Sequence, residues 1–195
     1  MGEAIDKGIY RFPVFTEGTI VFRNGGTIKA KLNYNITMDE MHFISPKGDT
    51  MAVGDPPVIS YIEISPRRFY YEKGYLQTIA VSNDIILAFK QVVLEDHSKK
   101  GAFGIATEHP SAISYSLFTV KGQQYNLGSS EELSTRESYF FGDSFGHFSK
   151  ASKEYILLHY NKKEEPIKEF IKTNHTNFTK EEDLLKLLQY CEQLP

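Results

Sequence analysis

The sequence has no tryptophan and a single cysteine, Cys191, in 195 residues. One thiol excludes an internal disulfide and a Cys-rich zinc site. It permits a cytosolic home without excluding a periplasmic one. Charge of one sign is also scarce: Lys and Arg number 22 against 25 Asp and Glu, for a net charge of −3. Binding to nucleic acid needs clustered basic residues that displace phosphate counterions. No nucleic-acid partner is therefore expected, nor an anionic membrane held by charge alone. No apolar run is long enough to cross a bilayer, so the chain is not expected to be membrane-spanning. The opening MGEAIDKGIYRF has neither the basic nor the apolar region of a secretory leader. Two readings follow: a cytosolic protein, or a mature exported chain whose leader has been removed. Missing too are the nucleotide loops GxGxxG and GxxxxGK[ST] and the nucleophile elbow GxSxG. No cofactor and no metal are expected.

What the chain does have is Phe (14) and Tyr (12), residue types that favour pleated, half-buried surfaces. Short β-type runs recur between breaks spaced roughly 8–12 residues apart, as in a meander, sandwich or open barrel. Residues 9–15, IYRFPVF, read as a first strand with Pro13 confined to an edge or strand end. Residues 19–23 and 27–34 form the clearest hairpin, around Asn24-Gly25-Gly26, whose residue types tolerate the positive φ of tight loops. In its second arm Ile28, Ala30, Leu32 and Tyr34 alternate with Thr27, Lys29, Lys31 and Asn33, which predicts one buried and one wet face. Further strands are expected over 40–44, 50–53, 58–64, 68–72, 75–81, 85–95 and 138–141, and a short hairpin over 117–127. Residues 96–116 read as a long loop.

From Ser149 the apolar period becomes helical. One helix is expected over 150–160 with Ala151, Tyr155 and Leu158 on its apolar side. A second starts near Pro166 and uses Ile167, Phe170 and Ile171. The third carries Leu184, Leu187, Leu188 and Cys191 on one face, behind a capping-box spacing at Thr179 and Glu182. Cys191 then behaves as a small hydrophobe. The expected fold class is α+β: an antiparallel β-meander or open barrel, followed by a small C-terminal helical segment. The expected division is a β-rich domain over 9–148 and a helical segment over 149–195 packed on it.

Two constellations are candidates for chemistry. Asp39, Glu40 and His42 form a DExH-like cluster in which a strand would put Glu40 and His42 on one face and Asp39 on the other. Such a cluster could bind a metal or supply an acid/base pair, but no second His/Asp motif with ligand spacing lies nearby, and an exposed polar strand face is the favoured account. Asp143 and His147 sit among Tyr139, Phe140, Phe141, Phe145 and Phe148. There a hydrogen-bonded Asp–His pair beside aromatics lining a sugar or peptide groove is the functional reading, and a plain β-to-α corner whose aromatics plug the core, with Asp143 bonding turn amides, is the favoured one.

The blocks FTEGTIVFRNGGTIKAKLNYN, DEMHFISPKGDT, ISYIEI, RRFYYEKGYLQ, YFFGD and IKEFIKTNHTNFTKEEDLLKLLQY, in that order, resemble a group of uncharacterised exported proteins of Bacteroidota. The resemblance implies a periplasmic or cell-envelope location, with the cytoplasm as the alternative, and a β-rich body with a helical tail. It implies no reaction and supplies no functional residues. The expected role is non-enzymatic binding or scaffolding with an unknown protein or envelope component. The alternative is a hydrolase or small-ligand site at the aromatic corner near Asp143 and His147, joined by Glu40 or His42.

Overall fold

The computed structural model describes residues 9–94 and 134–194, and the statements below concern those residues. The expected loop over 96–116 and the hairpin over 117–127 lie outside them. The chain divides into two compact units, Met1–Val92 with Arg136–Pro195, and Val93–Thr135. The architecture described is that of the first.

Ten antiparallel strands form one open sheet, followed by three helices, an α+β arrangement. The strands are β1 (Thr16–Phe22), β2 (Thr27–Asn35), β3 (Glu40–Ile44), β4 (Thr50–Ala52), β5 (Ile59–Ile64), β6 (Arg67–Tyr71), β7 (Tyr75–Ser82), β8 (Ile85–Leu94), β9 (Ser134–Gly142) and β10 (Phe148–Lys150). Their order across the sheet is β10-β9-β8-β7-β6-β5-β1-β2-β3-β4. Two meanders therefore meet at β1, which is flanked by β2 and β5. The chain returns from the β4 edge to the free side of β1 through Asp55-Pro56-Pro57, where Arg23 N and Nε donate to the carbonyls of Val58 and Pro57. The β1–β2 turn is closed by Phe22 N to Gly26 O and by the Asn24 side chain accepting from Gly26 N.

A single row of cross-strand partners shows where the core sits. Phe89, Gln77, Phe69, Ile62, Ile20 and Ile28 face one another across β8, β7, β6, β5, β1 and β2. All are buried except the last, which is 52% exposed. The face is concave: Tyr34 on β2 meets Phe69 on β6 at 5.6 Å and Tyr75 on β7 at 5.9 Å, although β1 and β5 lie between. The expected alternation in β2 holds only in part. Leu32 and Tyr34 are buried, but so are Asn33 from the polar set and Asn35 beyond it, and Ile28 emerges into solvent.

The burial of Asn33 and Asn35 follows from residues 9–15, which do not form a strand of their own. Tyr10 bridges Asn35 and Thr16 pairs with Leu32, so the chain here spends three more residues than β2 does. It is an extension of β1 interrupted by a bulge that carries Pro13, where a missing amide donor is tolerated. The Asn33 side chain takes the place of a peptide group opposite it. Its Oδ1 accepts from Phe12 N at 3.1 Å, and its Nδ2 donates to Phe12 O at 2.9 Å and Val14 O at 3.3 Å. Arg11 crosses to β7 and β8, donating to Gln77 Oε1 at 2.8 Å with its guanidinium 5.0 Å from the Phe89 ring centre.

The helices are α1 (Lys153–His159), α2 (Glu164–Thr173) and α3 (Glu181–Gln193). They close the same sheet face at the other end. Leu184, Leu187, Leu188 and Cys191 of α3, Ile167 of α2 and Ile156 of α1 join Ile85, Leu87, Phe89, Tyr139 and Phe141 in one core. At ~1.5–3 kcal/mol for each fully buried large aliphatic side chain, this contact dominates the helices' stability. Three local expectations are corrected. Phe148–Lys150 is a strand paired with β9, so the first helix starts later, at Lys153, with the Ser152 hydroxyl accepting from Tyr155 N. Its buried residue is Ile156, while Leu158 is 79% exposed. The Thr179–Glu182 capping box does not form. Lys180 occupies the cap position, and the Thr179 N–H and hydroxyl both donate to Asn177 Oδ1.

Candidate functional site

Strand β3 places Glu40 and His42 on one face, two residues apart, and the structure brings them together. His42 Nε2 lies 3.0 Å from Glu40 Oε2, and Nδ1 lies 2.8 Å from the Tyr10 hydroxyl delivered by the N-terminal extension. The Tyr10 ring meets the imidazole edge-on at 5.6 Å. Carboxylate, imidazole and phenol thus form a chain of three. Burial raises the Tyr10 pKa, the Asn35 side chain opposes this and the Glu40 charge adds to it, so the phenol stays protonated at neutral pH. The imidazole is largely buried and both its nitrogens are engaged. The group anchors the N-terminal extension to β3.

Asp143 and His147 are also brought together, in the β9–β10 turn. Asp143 Oδ1 accepts from the backbone N–H of Phe145 at 2.9 Å and of His147 at 3.0 Å, while Oδ2 lies 2.9 Å from His147 Nδ1. Partial burial raises the Asp143 pKa. The hydrogen bonds and charge of His147, with the Phe145 amide, outweigh it and leave the carboxyl below its ordinary value. The surrounding aromatics do not line one groove. Strand periodicity sends Tyr139 and Phe141 to the helix-covered face, where Phe141 stacks on Tyr155 at 5.6 Å. Phe140 and Phe148 go to the other face, with Tyr61 and Tyr70. Phe145 projects into solvent.

No hydrogen bond or ion pair joins the Glu40–His42 pair to the Asp143–His147 pair among the described residues, and in the sheet order six strands lie between β3 and β9. No cluster of three or more His, Cys, Asp or Glu with metal-binding geometry occurs among the described residues.

A further polar group is built around Asp39, which precedes β3 with φ 55° instead of lying on the opposite face of that strand. Its Oδ1 accepts from the Tyr34 hydroxyl at 2.7 Å and from Tyr75 N at 2.9 Å. Its Oδ2 accepts from Lys90 Nζ at 2.5 Å, and the same ammonium donates to Lys73 O at 3.2 Å. Asp39 therefore ties the β2–β3 turn to the β6–β7 turn and to β8, across the mouth of the curled sheet. Gly74, at φ 120°, leaves room for the pair: a Cβ there would collide with both Lys90 Nζ and Asp39 Oδ2. Burial, followed by the charge of Asp39 and its hydrogen bond, drives the Tyr34 pKa far up. This node is not legible in the sequence, because Lys90 lies 51 residues away. The local signal, an acidic residue beside Glu40 and a glycine at a turn, is common to many hairpins.

No family model, curated protein or solved structure matches the chain.

Proposed function

We propose that the protein is a non-enzymatic binding or scaffold component of the cell envelope that holds a protein or envelope partner on the outer part of its concave sheet face. The observation that supports this reading is the way the apolar face ends. Where β8 and β9 are closed by helices, the face is dry. At β2 and β4 it opens, with Ile28 52% and Met51 51% exposed on the side that also carries buried Leu32 and Tyr34. Apolar surface continuous with a core is where association gains most from removing water. The envelope location rests on the resemblance described above.

A hydrolase or small-ligand site at Asp143 and His147 has less support. The carboxylate that would orient the imidazole is held by two turn amides, and the neighbouring aromatics divide between two faces.

Replacing Ile28 and Met51 together by Lys tests the proposal. Both side chains are half exposed, so the fold should change by no more than ~0.5 kcal/mol for each. The wild type should retain a partner from solubilised envelope that the double variant fails to retain. Equal capture by both, or none by either, overturns the reading. Cell fractionation tests the compartment separately.

A further inference from the structure

We propose that Asp39 and Lys90 condense to an intramolecular amide, an isopeptide cross-link between the β2–β3 turn and β8. The two carboxylate oxygens are treated differently. Oδ1 sits in a two-donor cradle, the Tyr34 hydroxyl at 2.7 Å and the Tyr75 backbone N–H at 2.9 Å. This is the geometry that stabilises negative charge as it develops on a carbonyl oxygen under attack. Oδ2 faces the amine, Lys90 Nζ, at 2.5 Å. The Lys73 carbonyl accepts a second hydrogen bond from Nζ at 3.2 Å and orients the group.

In the step proposed, a proton first passes from Nζ to Oδ2 across their contact, leaving a neutral amine and a carboxylic acid; Nζ then attacks Cγ, the Nζ–Cγ bond forms and the Cγ–Oδ2 bond breaks. Two of the three ammonium protons leave with Oδ2 as water. One positive and one negative charge are replaced by a neutral amide, and nothing is oxidised or reduced. Condensation of a free amine with a free carboxylate is unfavourable in water, and two features act against that here. The reactants are held in contact by the fold, which supplies a large effective concentration. The ion pair is mostly out of water, with side chains 17% and 30% exposed, so its conversion to a neutral group relieves desolvation. Gly74 belongs to the same design, because any larger residue would occupy the space in which the amine and carboxyl meet.

The test is the intact mass of the purified, denatured protein. The wild type should be lighter than its sequence mass by one water, and proteolysis should yield one branched peptide joining the Asp39 and Lys90 segments. Lys90→Arg keeps the ion pair but supplies no primary amine, and should have its full sequence mass. Asp39→Asn should release ammonia instead of water and reach the same final mass as cross-linked wild type. Tyr34→Phe, which removes one donor from the cradle, should slow the mass change by tenfold or more. A folded wild type that keeps its full sequence mass after prolonged incubation overturns the proposal. This readout is independent of any partner, so its failure leaves the binding reading untouched.

Discussion

Asn33 shows how one side chain can set a local path of the backbone. In the sequence it stands on the polar side of an alternating strand, beside Lys31. In the structure it is fully buried and serves as a surrogate peptide group for Phe12 and Val14. Replacing it by Ala leaves the part-buried Phe12 N–H and C=O without their side-chain partner, at a cost below the ~1–3 kcal/mol of a fully buried unsatisfied group for each. Asn33→Ala is therefore expected to lower the urea midpoint and to speed hydrogen exchange at the Phe12 amide. Unchanged protection there would mean that the bulge is held by other contacts. Asp39 makes the complementary point. The sequence pattern put it on a strand face, whereas it sits in the turn before β3, and its partners come from Tyr34, Tyr75 and Lys90, which only the curvature of the sheet brings together.

At the scale of elements, hairpins with strong turn chemistry are where sequence reading is most accurate. The arms around Asn24-Gly25-Gly26 and around residues 45–49 pair as expected, because side chain and backbone at the turn specify the register locally. The short β9–β10 hairpin is missed because its second strand has three residues and reads as the start of a helix. Its turn depends on the ionised Asp143. The carboxyl lies below its ordinary pKa in the folded protein, so the stability it contributes is present above the unfolded value and is lost as the pH falls through the lower folded value. Acidification below about pH 4 should release the turn, read as lost protection of the Phe145 and His147 amides. Asp143→Ala should show weak protection of both amides at every pH. A turn equally protected from neutral pH through that range in the wild type would contradict this account.

For the whole molecule, the central question is whether the helices and sheet form one cooperative body. The shared core argues that they do, since Leu184, Leu187, Leu188 and Cys191 pack with Ile85, Leu87 and Phe141. Cys191 reports on it directly. Burial pushes its thiol up to about 11, against a smaller opposing pull from Lys163, so at neutral pH it is both inaccessible and un-ionised. Alkylation across a urea series is expected to follow the same transition as the loss of sheet signal in circular dichroism. Labelling at clearly lower urea would show that α3 leaves the sheet on its own.

The sequence by itself determined the α+β class, most strand positions and the apolar face of α3, since these depend on turn chemistry and on periods of two and 3.6 residues within short windows. It offered Glu40 with His42 and Asp143 with His147 as candidate pairs, because each lies within one strand or one turn, and the contacts themselves come from the structure. Only the tertiary structure decided that β5 returns beside β1, that residues 9–15 extend β1 through a bulge and that Asp39 meets Lys90. It likewise decided that the apolar face remains open at Ile28 and Met51. Those outcomes depend on the curvature of a ten-stranded sheet and on what covers each part of it, and no local pattern of residues encodes either.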